Sequence, residues 1–97
     1  NKLKHYIIME YTYILCACND KKEYTSASLV CSFSEKEDEK VFNYIEEHQN
    51  AFFDGTKKEK ERKLKSLFHS TIEKSNIMEA INSNLDIYAM VQQIPNI

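Results

Sequence analysis

Glycine is nearly absent from this chain: Gly55 is the only one in 97 residues. Loops that cradle phosphate bring several backbone amides against the ligand, and that approach needs glycines, so a phosphate-binding loop is excluded. A G-x-S-x-G nucleophile elbow is excluded with it, although Ser26, Ser28, Ser32 and Ser34 supply hydroxyls. Long apolar runs are also missing. None approaches the roughly 18–20 residues that a membrane-crossing helix needs. Neither sign of charge dominates: thirteen Lys and Arg face fifteen Asp and Glu, for a net charge of −2 and a pI near 5.9. A global attraction to nucleic acid or another polyanion is therefore lacking, and any such role needs a local basic patch. The cysteines are three, Cys16, Cys18 and Cys31, without the paired C-x-x-C spacing of a zinc site.

What is present describes a folding domain. Apolar residues make up 42% of the chain and eleven aromatics (six Tyr, five Phe) are spread along it. At this length the material suffices for one core, so residues 1–97 read as a single small α+β domain. Residues 5–18 are apolar on both alternating sets, which fits one central strand with a bend or bulge near Glu10–Thr12, or two strands with a tight reversal there. Asn19 to Glu23 forms a polar turn, and residues 24–33 alternate as a half-buried strand, closing a β-hairpin. Cys16 and Cys18 share one face of the first strand, and Cys31 on the second stands within reach of them if it shares that face. The expected role of all three is as reduced core thiols, with a disulfide or a metal site joined by His5, His48 or His69 as the alternative.

From Ser34 onward the period changes. Ser34 with Glu37 has the spacing of a reciprocal helix cap. Val41, Ile45, His48 and Phe52 then mark a first helix ending at Asp54-Gly55 through a left-handed glycine. Thr56 with Glu59 repeats the cap. Leu64, Leu67, Phe68, Thr71 and Ile72 give a second helix the clearest apolar stripe in the chain, and the short link predicts an antiparallel αα-hairpin. Asn76 with Glu79 opens a third helix over 76–83. Residues 85–92 alternate as a last strand, although Ile77, Ile81, Leu85 and Tyr88 also fit one continuous helix. The expected architecture is thus an N-terminal antiparallel β-hairpin or small sheet packed on an αα-hairpin, with a C-terminal helix and a last strand.

One local rule is broken. Residues 57–65 hold six positive and two negative charges at the start of a helix, where the macrodipole disfavours cations by a few tenths of a kcal/mol each. Residues 35–54 sum to −5 and residues 55–97 to +2, so an acidic helix precedes a basic one. The bland account pairs the lysines with Glu46 and Glu47 across the hairpin. The functional account makes Lys57, Lys58, Lys60, Arg62, Lys63 and Lys65 a partner-binding surface, since such violations concentrate at functional sites. Nucleic-acid binding through the same run is the alternative, weakened by the lack of an interleaved aromatic for base stacking. The three histidines are scattered, and the carboxylates cluster on helix surfaces instead of in a paired acid–base arrangement. No catalytic, metal or cofactor-binding residue is assigned.

The pattern from His5-Tyr6-Ile7-Ile8 through Leu15-Cys16, followed by Val41-Phe42-Asn43-Tyr44-Ile45, is similar to the middle strands and following helix of longin or profilin-like trafficking domains. The likeness covers about half the chain, and the strand at 24–33 departs from that order. It implies a trafficking role as a further alternative. Lys2 and Lys4 ahead of an apolar run ending Leu15-Cys16-Ala17-Cys18 resemble a bacterial lipoprotein signal, interrupted by Glu10, which implies a lipid-anchored surface protein. The leading expectation is a non-catalytic, intracellular, cytoplasmic domain that binds another protein as inhibitor, adaptor or subunit, with homo-oligomerisation open. The docking surface is then the basic helix start or the strand edge around residues 24–33.

Overall fold

The computed structural model describes residues 11–24 and 29–96. The calls on residues 5–10, including His5 and the first half of the long strand, and on 25–28 lie outside the described residues. Three strands form an antiparallel sheet of order β2-β1-β3: β1 (Tyr11–Ala17), β2 (Val30–Phe33) and β3 (Ala89–Pro95). Four helices lie between β2 and β3: α1 (Asp38–Glu47), α2 (Gln49–Phe52), α3 (Lys57–Lys74) and α4 (Ile77–Ser83). This is the expected α+β class. The first strand is central as expected, because β3 returns to pair with its free side.

Register explains which face is oily. Leu15 stands opposite Cys31 and Val91, and Tyr13 opposite Phe33, so the odd residues of β1 share a face with Cys31, Phe33, Ala89 and Val91. That face meets Val41, Ile45, Phe52, Phe53, Leu67, Ile77 and Ile81 in one core. Each large apolar side chain fully withdrawn from water there contributes roughly 1.5–3 kcal/mol. Cys16 aligns instead with Val30 and Met90 on the opposite face. The alternative in which Cys31 faces Cys16 and Cys18 is therefore corrected: the sheet lies between them, since neighbours in register project to the same side and adjacent residues to opposite sides.

Capping is where residue-level expectation and structure agree best. The Thr56 hydroxyl accepts from the Glu59 amide at 3.2 Å while Glu59 accepts from the Thr56 amide at 3.1 Å. Asn76 accepts from the Glu79 amide at 3.2 Å and opens α4. At Ser34 only half of the box forms. The Glu37 carboxylate accepts from the Ser34 amide at 2.8 Å, the chain turns through Glu37 N–H to Ser34 C=O, and helix begins only at Asp38. The expected single helix to Asp54 is also broken, at His48, whose φ of −119° and ψ of 35° leave the helical region. Its ring packs on Tyr44 at 4.6 Å, and the break lets Phe52 and Phe53 both turn inward. Gly55 has a φ of +111°, as a left-handed glycine requires, but it stands in the link ahead of α3, beyond the end of α2.

Two side chains close the far side of the molecule. Lys22, at a φ of +63°, extends its ammonium to the carbonyls of Ile87 at 2.7 Å, Ala89 at 2.8 Å and Ile81 at 3.4 Å. The turn after β1 is thereby fastened to the end of α4 and the start of β3. Asn82 acts as a false strand partner: its amide accepts from Val91 N–H at 2.8 Å and donates to Val91 C=O at 3.1 Å. Open strand edges template unwanted pairing, and on the outer edge of β3 Lys22 takes the Ala89 carbonyl, Asn82 takes both Val91 groups and Pro95 has no N–H to offer.

Candidate functional site

α3 is eighteen residues long and runs back along α1. The order of contacts fixes the antiparallel sense: Asp38 and Ser75 border one recess, Phe42 meets Phe68 edge-on at 5.2 Å, and Asn50 accepts from the Lys60 ammonium at 2.7 Å. The two helices touch through side chains and diverge between them. A groove of about 1020 Å³ opens there, floored by Phe42, Leu64, Phe68 and Ile72.

That floor corrects the helix-stripe expectation. Leu67 and Thr71 are buried, whereas Phe68 is 50% exposed and Ile72 62%. The reason is angular. A stripe of five positions spans more than the face that meets the sheet and α4, so its Phe68–Ile72 margin is left turned toward α1. An apolar floor of this kind on an otherwise charged helix is the informative anomaly, since scattered exposed leucines such as Leu85 are ordinary.

The rim is charged with a direction. Asp38, Glu39 and Glu46 line the α1 side, and Glu61, Lys65 and His69 the α3 side. Burial raises the Asp38 carboxyl above its ordinary range. The basic residues divide into two groups. Lys60 bonds to Asn50, and Lys63 donates to the Asp54 carbonyl at 2.8 Å, so these two hold the link between α2 and α3. Lys57, Lys58, Arg62 and Lys65 are exposed. Among the described residues the ion pairs are Lys40 with Glu37 and Lys74 with Glu79, so the expected pairing with Glu46 and Glu47 does not form. Lys58, Arg62, Lys65 and His69 recur at 4, 3 and 4 residues along one face of α3, and of these Lys65 and His69 line the groove.

Other candidates for chemistry are not gathered. The thiols of Cys16, Cys18 and Cys31 are all pushed up by burial, with Lys22 partly opposing this at Cys18 and Lys40 at Cys31. Cys31 is separated from the other two by the sheet. His48 packs on Tyr44 while His69 lines the groove wall. Tyr13 donates to Glu35 at 3.0 Å, and burial, then that carboxylate, raises its phenol further. This bond tethers the sheet to the turn before α1. Among the described residues, no group of His, Cys, Asp and Glu is arranged to hold a metal ion, and no helix is long and apolar enough to cross a membrane. Cleavage ahead of Cys18 would remove β1, the central strand, which sets the lipoprotein resemblance against this fold.

Among the described residues β2 is an outer strand of four residues, and the Tyr44 hydroxyl donates to the Val30 carbonyl at 3.3 Å. No family model, curated protein or solved structure matches the chain. Of the groove residues, sequence reasoning placed only Lys65 in a partner-binding site; it missed Asp38 and Glu39, and read Phe42, Leu64, Phe68 and Ile72 as helix stripe only. Their signal is the partial phase offset between the Phe42 side of α1 and the Phe68–Ile72 margin of α3.

Proposed function

We propose that this chain is a non-catalytic protein-binding domain that receives a partner's apolar segment in the groove between α1 and α3. The observation that carries this reading is the half-exposed Phe68–Ile72 floor. Apolar side chains held open between two helices lose the benefit of burial, and a partner's apolar face restores it, as in helix-in-groove recognition. The exposed Lys58, Arg62 and Lys65 share one face of α3, Lys65 lining the groove, and set the orientation and encounter rate of the partner. Inhibitor, adaptor and assembly subunit all use such a surface. Nucleic acid is a poor occupant, because Lys60 and Lys63 are already engaged and Glu46 and Glu61 line the same groove. The few cations left would neutralise few phosphates.

The test places a photoreactive benzoylphenylalanine at position 68, and separately at position 73 as a control, in cells that make the protein. Protein adducts from position 68 that vanish with Ile72→Asp are expected. Equal labelling from both positions, or adducts indifferent to Ile72→Asp, would overturn the reading.

A further inference from the structure

We infer that the occupant of the groove is a second copy of this chain, docked through an antiparallel, two-fold pairing of α3. The inference rests on the docking reading above and names its partner. Charge along α3 supplies the first argument. The acidic mouth of the groove, Asp38 and Glu39, lies beside the C-terminal end of α3, whereas Lys58, Arg62 and Lys65 lie toward its N-terminal end. A two-fold axis across α3 brings opposite ends together and sets Lys65 of each copy toward the Asp38–Glu39 mouth of the other. A parallel arrangement would stack like on like.

Register supplies the second argument. With the axis level with the midpoint between Phe68 and Ile72, Phe68 of one copy meets Ile72 of the other, and the reverse contact repeats it. Lys65 then stands level with Ser75 of the second copy, and Ser75 borders the same recess as Asp38. Asp38 is a carboxyl already raised by burial, so an incoming ammonium supplies the counter-charge it lacks. An isologous interface requires a patch that complements itself under rotation, and this one does where Phe68 meets Ile72 and where Lys65 meets the Asp38 recess. With that register the two copies of α3 overlap over residues 66–74, about 13 Å at 1.5 Å per residue.

The experiment is sedimentation equilibrium of the full chain. Wild type is expected to dimerise, with affinity falling as salt rises, because the rim pairs are solvent-exposed and screened. Two charge-reversed variants follow: Lys65→Glu, and Asp38→Lys/Glu39→Lys. Lys65 does not hold the link that Lys60 and Lys63 hold, so circular dichroism should show an unchanged fold. Each variant alone is expected to be monomeric, and their equimolar mixture to regain association to within about tenfold of wild type, since reversing both partners restores both contacts. Ile72→Asp is expected to be monomeric at any salt. A monomeric wild type, a dimer untouched by Ile72→Asp, or a mixture that stays monomeric would each overturn the inference. The two proposals fail separately: a monomeric wild type that still gives position-68 adducts with another protein removes only the second copy, whereas no adducts and no dimer removes both.

Discussion

The Lys22 clamp is expected to be among the largest single-residue contributions to stability outside the core. Its ammonium bonds three carbonyls that belong to the end of α4, the approach to β3 and β3 itself. Hydrogen bonds to charged groups are worth roughly 1.5–3 kcal/mol each when well buried, but the site is only half-buried, so water replaces part of what is lost. Ile81 C=O also retains the Asn84 amide at 3.2 Å. We therefore expect Lys22→Met, which keeps the stem and removes the charge, to cost about 2 kcal/mol. Backbone strain gives a second, independent signature. A non-glycine residue at a φ of +63° is strained by about 1–2 kcal/mol, and glycine relieves that while costing about 0.4–1 kcal/mol through the freer unfolded chain. Lys22→Gly should consequently be more stable than Lys22→Ala by roughly 0.5–1 kcal/mol. Urea unfolding followed by far-UV circular dichroism reads both, with no tryptophan to use. At a slope near 1 kcal/mol per molar urea, the methionine variant should unfold about 2 M earlier than wild type. A shift below about 0.5 M, or glycine less stable than alanine, would refute the clamp.

Three further outcomes follow from the same geometry. Asn82→Leu should cost about 1–2 kcal/mol by uncovering the Val91 N–H and C=O, and should raise light scattering on storage as the β3 edge opens; unchanged stability and solubility would contradict its role as a false strand partner. The Glu59 carboxyl sits below its ordinary value of 4.5, chiefly because it accepts from the Thr56 amide. The unfolded chain then takes up the proton first, so this stabilisation is complete above that value and is lost as pH falls through the lower folded one. Glu59→Gln should flatten the fall in unfolding free energy across that window, and an unaltered slope would remove the assignment. Finally, the folded protein should resist formation of a Cys16–Cys31 or Cys18–Cys31 disulfide, and its thiols should react slowly with a disulfide reagent until urea is added. Rapid native cross-linking would contradict the two-face register.

Much of this architecture was legible because its signals are local. The Thr56–Glu59 and Asn76–Glu79 caps need only neighbours in sequence, and both form. The alternation of Ile87, Ala89 and Val91 was enough to choose strand over helix, although β3 starts at Ala89 and runs on to Pro95, where an edge strand tolerates a residue without an N–H. Where reasoning failed, the deciding partner was distant. Nothing near His48 in sequence announces a break whose benefit is the burial of Phe52 and Phe53. Nothing near Lys22 announces that its ammonium will close on carbonyls more than fifty residues away. The groove was half legible: the width of the α3 stripe was visible, but which margin would be left uncovered depends on how α1 and α3 diverge. The basic run stood out in sequence as a broken local rule, and only the structure separates Lys60 and Lys63, which hold the link, from Lys65, which lines the groove, and from Lys58 and Arg62, which stay exposed.

The central claim is that the Phe68–Ile72 floor exists for an occupant and not for the fold, and Ile72→Asp tests it most directly. Ile72 is exposed, so the variant should unfold within about 0.5 kcal/mol of wild type while losing its position-68 adducts. A variant that loses several kcal/mol of stability, or that keeps its adducts intact, would contradict the claim.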